Sequence, residues 1–149
     1  SSVDILPTVA AITGADLPGN KIDGVSLLPL LKGDFSAAPR REFYYYSGLT
    51  LNAVRQDNWK YVFPHKHGTN VGSTVGKDGW PGKMNVADFE GGLFDLRRDP
   101  GEQYDMQEVH PEIVSELQSM ADKMREELGD ISLKIPGKEI RSAGIADEK

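Results

Sequence analysis

Residues 91–104 read Gly91-Gly92-Leu93-Phe94-Asp95-Leu96-Arg97-Arg98-Asp99-Pro100-Gly101-Glu102-Gln103-Tyr104, a short apolar strand running straight into a turn. Leu93, Phe94 and Leu96 suit a pleated, half-buried surface. Pro100 fixes φ, and Gly101 is expected to take the conformation that other residues resist. After a spacer comes His110-Pro111-Glu112, with proline in the favoured first helical position. Behind it Ile113, Val114, Leu117, Met120, Ala121, Met124 and Leu128 recur at helical spacing, while Glu112, Glu116, Lys123, Glu126 and Glu127 point elsewhere. Strand, turn and amphipathic helix are the plan of this half.

The strands that would complete a sheet lie upstream. Glu42-Phe43-Tyr44-Tyr45-Tyr46-Ser47 is aromatic throughout, and Leu51 to Gln56 is a second candidate. Asp57-Asn58 tolerate positive φ and would close a tight hairpin onto Trp59-Lys60-Tyr61-Val62-Phe63. Alternation puts Trp59, Tyr61 and Phe63 on one face and Lys60 and Val62 on the other. The expected class is therefore α+β: a small antiparallel sheet of about four strands with a single buried side, covered by the C-terminal helix. Residues 64–90 are glycine-rich and patternless, and a loop of that length is either functional or disordered. Residues 131–149 lack a period and read as an extended or disordered tail.

At the start of the chain, Ser2 or Asp4 can cap a helix whose positions Ile5, Leu6, Val9 and Ile12 form one apolar stripe, with Gly14 as a left-handed C-cap. Residues 15–24 carry turn chemistry, residues 26–31 are too short for an independent helix, and residues 32–41 read as a linker. Because the chain opens on Ser1-Ser2-Val3-Asp4, almost inside a helix, it is expected to be a piece of something longer.

The 149 residues suffice for one core, and 38% hydrophobic with 27% charged residues is the balance of a globular protein. A formal net charge of -6 argues against a phosphate-backbone binder, so nucleic acid is not expected as a partner. With no cysteine there is no disulfide framework, thiolate metal site or cysteine nucleophile. No run approaches the roughly 20 apolar residues that span a bilayer, so no membrane partner is expected.

Few constellations carry chemistry. Gly72-Ser73-Thr74-Val75-Gly76-Lys77-Asp78 is one residue short of a phosphate loop, and Asp78 stands where Ser or Thr should hold magnesium; a turn is the better reading. His65-Lys66-His67 is more interesting, because in an extended segment both imidazoles point the same way beside a positive charge. Exposed polar residues on a loop are the plain interpretation of that cluster; contact with an anionic substrate, or with a metal, are the alternatives. A metal wants three or four ligands and only His110 remains among the histidines, so no metal site is assigned. Asp95, Asp99, Glu102 and Asp105 lack EF-hand spacing and are accounted for by turn formation. There is no G-x-S-x-G elbow and no H-E-x-x-H, so no catalytic residue is assigned either.

Leu93 to Glu102, the His110-Pro111-Glu112 start and the terminal helix together resemble the C-terminal subdomain of sulfatases, especially arylsulfatase-like bacterial ones. Two further stretches agree in order: Asp4-Ile5-Leu6-Pro7-Thr8 leading to Asp23-Gly24-Val25-Ser26-Leu27-Leu28-Pro29-Leu30-Leu31, and Ala53-Val54-Arg55 leading to Trp59-Lys60-Tyr61-Val62. The resemblance implies that residues 1–37 are the last helix and connection of a large α/β domain, that 38–130 are the small subdomain, and that 131–149 are its tail. It also implies a parent that hydrolyses sulfate esters with a formylglycine made in a C/S-x-P-x-R motif beside a calcium ion, neither held by this chain. An N-terminal sulfatase domain and a sulfated small molecule or glycan are the implied partners. A periplasmic or secreted parent is the implied compartment. His65 and His67 become the candidate substrate-binding residues, because loops of the small subdomain help to shape the pocket. The piece alone is expected to be non-catalytic, and its apolar stripe to favour a homo-oligomer. The rivals are a free-standing interaction module, for example one that binds carbohydrate through Trp80 and the tyrosines, and part of a related alkaline-phosphatase-superfamily phosphodiesterase or phosphonate hydrolase.

Overall fold

In the computed structural model, which describes residues 1–37 and 40–140, the decisive stretch becomes the edge of a four-stranded antiparallel sheet. Its strands are β1 (Glu42–Ser47), β2 (Thr50–Gln56), β3 (Trp59–Val62) and, after an intervening hairpin, β6 (Gly92–Asp95), in the order β1-β2-β3-β6. Val54 faces Tyr44 on one side and Tyr61 on the other, and Tyr61 in turn faces Leu93, so one row of side chains crosses the sheet. Asp57 closes the β2–β3 hairpin with φ of 52°. The α+β class and the sheet of four strands are as expected.

One residue breaks the alternation to the advantage of the core. Tyr45 faces Ala53 but Tyr46 faces Leu51, which leaves Asn52 as the extra residue of a β-bulge. The slip turns Leu51 to the same face as Val54 and Tyr46. Above that face lies α3 (Pro111–Leu128), whose Leu117 and Ala121 are fully buried with Leu51, Val54, Tyr61 and Leu93. Proline stands in its first turn and His110 at its N-cap position.

The sheet has a second buried face, contrary to the single one expected. Ala53, Val62 and Phe94 are buried there against Tyr45, Phe89 and Leu96. Phe89 comes from residues 64–90, which are not patternless in three dimensions: β4 (His65–Thr69) and β5 (Asn85–Phe89) form a two-stranded hairpin, and Phe89 stacks on Phe94 at 6.4 Å. On the same face Lys60 lies over the Tyr45 ring, 5.0 Å from its centre, and donates to Glu102 Oε1 at 2.6 Å. That ion pair explains another difference. The left-handed residue of the turn after β6 is Glu102, with φ of 53°, and not Gly101; Asp99 Oδ2 secures it by accepting from the Gln103 and Tyr104 amides.

The segment after α3 also differs from the tail expected at residues 131–149. Its first part forms a 3-10 turn at Ile131–Leu133 and a short strand β8 (Ile135–Pro136) that pairs with β7 (Gly129–Asp130). Residues 141–149 lie outside the described residues.

Ser1–Arg41 is a separate compact unit. In it α1 (Ile5–Thr13) ends at Gly14 with φ of 72°, and α2 (Leu28–Leu31) is one helical turn. What binds the unit is polar. Asp4, 1% exposed, accepts from the Val25 amide at 2.9 Å and from the Arg40 guanidinium, which also donates to the Asp23 carbonyl. One turn on, the Thr8 hydroxyl donates to the Asp4 carbonyl and accepts from the Leu27 amide. Gly24 lies so close to the Val3 carbonyl that a Cβ would stand 2.0 Å from its oxygen. The two N-terminal motifs are thus the two halves of one clasp.

Leu117→Ala should lower stability by about 3 kcal/mol in urea denaturation followed by far-UV circular dichroism, because a fully buried leucine leaves a cavity under the sheet. In the N-terminal unit the Arg40 guanidinium beside Asp4 holds its carboxyl well below the usual carboxylate range, against the opposing effect of burial. A lowered folded pKa means stability present above about pH 4 and lost as acid protonates the group. The dispersed Val25 and Leu27 amide signals should accordingly collapse toward random-coil positions between about pH 4 and pH 1, and at neutral pH in Asp4→Ala.

Candidate functional site

The histidine cluster lies at the start of the β4–β5 hairpin. His65 and His67 share a face of β4, with ring centres 6.0 Å apart, and both rings meet the edge of Phe89, at 5.8 and 6.4 Å. Co-orientation of the two imidazoles agrees with the alternation argument. His65 is half-buried and its Nδ1 lies 2.8 Å from the Phe63 carbonyl, while His67 is exposed. A proton on Nδ1 serves that carbonyl, leaving Nε2 of a neutral His65 ring as an acceptor. Lys66 points the other way, toward Asp88 at 3.6 Å, where both side chains are largely exposed.

The same segment borders a cleft of about 580 Å³ between the β1–β2 turn, the start of β4 and the C-terminal end of α3. Leu51, Phe63, Pro64 and Leu133 supply its apolar wall, and Ser47, Thr50, Asn52, His65, Lys66, Arg125 and Ser132 its polar groups. Three interactions hold the walls together: Tyr46 donates to the Gly129 carbonyl, Ile131 N–H to the Leu49 carbonyl, and Phe63 N–H to the carbonyl of the bulge residue Asn52.

Arg125 is the functional candidate that helical periodicity missed. Its position on the wheel belongs to the buried face, yet a charged residue is ordinarily assigned to the solvent side. Its side chain is 10% exposed. The guanidinium sits 4.2 Å from the centre of the Phe63 ring, Nε donates to Asp130 Oδ2 at 3.2 Å, and Nη1 donates to Asp122 Oδ1 at 3.0 Å. Asp130 is 1% exposed, and its other oxygen accepts from the Ser132 hydroxyl and amide. Burial opposes ionisation of Asp130, but the Ser132 hydrogen bonds and the Arg125 guanidinium outweigh it and hold the carboxyl below its ordinary value. An Asp-x-Ser directly after a helix that carries arginine in its last turn is the signal that could have found this pair.

The other candidates have structural duties. Residues 77–80 make a tight turn with Asp78 and Gly79 at positive φ and a bridge between Lys77 and Trp80, so the stretch from Gly72 to Asp78 does not open a helix. Asp95 accepts from Asn58, and Asp105 caps the edge of β6 by accepting from Leu93 N–H. Among the described residues no group of three or more His, Asp or Glu side chains is disposed to hold a metal ion. No helix among them is long and apolar enough to cross a membrane.

Residues 38–136 match the family described as the C-terminal region of aryl-sulfatase. The chain is 34% identical over 129 residues to arylsulfatase A of Bos taurus, covering 80% of this chain and 25% of that protein. It is 37% identical over 112 residues to steryl-sulfatase of Mus musculus, covering 68% of this chain and 18% of that one. A solved structure from work on the metabolism of multiple glycosaminoglycans by Bacteroides thetaiotaomicron superposes with a TM-score of 0.59 at 27% identity, over 83% of this chain and 24% of that one. The chain therefore spans a quarter or less of the length of these proteins.

Asp130→Asn should destabilise the chain by about 1–2 kcal/mol at pH 7, because it removes the buried partner charge and leaves Arg125 with the exposed Asp122 and the Phe63 ring. It should also flatten the acid limb of the stability curve: the depressed carboxyl of the parent chain contributes above about pH 4 and is lost below it. Urea midpoints between about pH 7 and pH 2 check both expectations.

Proposed function

Since the chain belongs to the family of aryl-sulfatase C-terminal regions, we propose that it is the C-terminal part of a longer hydrolase of sulfate esters, non-catalytic alone, that supports the fold and completes the substrate pocket. One observation carries this reading: residues 38–136 match that C-terminal region while the whole chain spans only a quarter or less of its relatives. Bond breaking then resides in an N-terminal sulfatase domain. The formylglycine and calcium of that centre do not fit the residues here, because the sequence has no C/S-x-P-x-R and the described residues gather no ligand cluster.

In this reading residues 1–37 are the end of the large domain, 38–130 the small subdomain and 131–149 its continuation. Exposure of Ile5, Leu6, Val9 and Ile12 on α1, opposite the polar clasp, supports docking of that stripe on the large domain. His65 and His67 are the substrate contacts, a sulfated small molecule or glycan the substrate, and the periplasm or the exterior the parent's compartment. Two imidazoles held on one face of a strand by Phe89 are pre-aimed donors or acceptors for a polar ligand.

The purified chain should not cleave an aryl sulfate even with calcium, and in light scattering should self-associate through the bare α1 stripe. In the full-length protein, His65→Ala with His67→Ala should raise KM about tenfold with a smaller effect on kcat. Saturable turnover by the chain alone, or a gene with no C/S-x-P-x-R motif upstream, would overturn the assignment. An unchanged KM would remove the two histidines from the pocket, and cell fractionation checks the compartment.

A further inference from the structure

We propose that the cavity at the β2–β3 hairpin end of the sheet, walled by Trp59 and Tyr104 and edged by Asp95 and Asp99, is a binding site for an organic cation of the guanidinium class. Trp59 opens β3, whereas His65 and its cleft follow the other end of that strand, and the two hollows share no lining residue. The site therefore stands or falls separately from the enzyme reading.

The walls of the cavity are aromatic and polarisable. Beside the Trp59 indole and the Tyr104 ring lie the Met106 thioether and the His110 ring, which meets Trp59 at 4.9 Å with 59° between the planes. Glu112 Oε1, 3.2 Å from Nδ1, orients that imidazole. The electron-rich face of such a ring attracts a cation held against it. The carboxylates, in turn, are only half engaged. Asp95 Oδ1 accepts from the Asn58 side chain at 2.8 Å and from the Arg97 amide at 3.1 Å, while Oδ2 has only Arg98 Nε, 3.8 Å away and beyond hydrogen-bond length. Asp99 Oδ2 accepts from the Gln103 and Tyr104 amides, while Oδ1 has no hydrogen-bond partner among the described residues. No buried side-chain nitrogen or oxygen among the described residues lacks a partner, so both open oxygens can be reached by a ligand.

The cation already on the rim does not fill the space. The Arg98 side chain is 89% exposed, so it extends into solvent, and two carboxylates set against it leave the lining with a negative balance when His110 is neutral. The net charge of -6 on the chain adds a wider attraction for cations. A guanidinium suits the cavity better than an ammonium, because it is flat, weakly hydrated and donates in its own plane while a ring covers its face. The protein displays the same recognition internally: the Arg125 guanidinium lies 4.2 Å from the centre of the Phe63 ring and donates to Asp130 and Asp122. The volume of about 490 Å³ lies within the range of small-ligand sites. It admits the group either on a small molecule or on an arginine of another polypeptide.

The test is a titration of the ¹⁵N-labelled 149-residue chain with ethylguanidine, with its uncharged counterpart ethylurea, with a blocked glycine-arginine-glycine peptide and with sodium sulfate. Ionic strength is fixed, and a pH of about 8 keeps histidine neutral. The expected result is saturable shifts of the Trp59 indole N–H and of the Leu96, Tyr104 and Met106 amides with ethylguanidine and the peptide, and none with ethylurea. Asp95→Asn, whose amide oxygen keeps the Asn58 and Arg97 hydrogen bonds, should weaken binding about fivefold, and Tyr104→Ala about threefold. Arg98→Ala should tighten it about threefold by removing a competing positive charge. Amide dispersion of each variant confirms its fold. Tighter binding of the peptide places the guanidinium on a polypeptide and equal affinity places it on a small molecule; both uphold the site. Equal binding of ethylurea, saturation with sulfate, or weaker binding in Arg98→Ala would overturn the proposal. So would shifts that never saturate, or unchanged affinity in Asp95→Asn.

Discussion

The structure from Glu42 onward depends on α3 being pressed across the sheet through Leu117 and Ala121, the two helix positions with no exposed surface. They meet Leu51, Val54, Tyr61 and Leu93, which come from three strands. A leucine and an alanine one turn apart let the helix axis approach closely while the leucine fills the space between tyrosines. Because the helix C-terminus is thereby fixed above the β1–β2 turn, Arg125 can reach Phe63 and Asp130 together, and the cleft follows from that placement.

Much of this half was legible because its signals are local. Leu93, Phe94 and the His110-Pro111 start declare a strand and a helix within a few residues, Asp57 declares a tight hairpin, and the spacing of Ile113 to Leu128 declares one buried helical face. The chain's family was legible for the same reason: the motifs lie at turns and helix starts, where few residue types serve. The β4–β5 hairpin escaped because its apolar residues are sparse. Phe89 alone connects it to the sheet's second face, and one aromatic residue makes no pattern. Glu102 in place of Gly101 escaped because a long-range ion pair to Lys60 stabilises its left-handed backbone. Propensity counts only neighbours.

The candidate site was legible in part. His65 and His67 do share a face, as alternation requires, yet that face leans on Phe89, so packing accounts for part of their placement. Arg125 was invisible to periodicity because buried arginine is read as solvent-facing unless its acidic partner is recognised. At the N-terminus the apolar stripe was legible, while the polar clasp on the other side of the helix was not. The apolar side of α1 faces out and Asp4 and Thr8 face in, since a short segment gathered by hydrogen bonds has no need of its grease for itself.

The bulge at Asn52 carries a lesson for transferring knowledge between relatives. Upstream of it the odd and even positions of β2 exchange faces, so an ungapped alignment with a chain lacking the additional residue would set that chain's inward residue against Asn52, although Leu51 is the inward residue here. Any residue-by-residue mapping that ignores that offset will assign inward roles to outward side chains along the rim of the cleft. Loss of the additional residue would thus remove what the bulge displays at the rim while leaving the paired residues of the sheet, and their contact with the helix, in register.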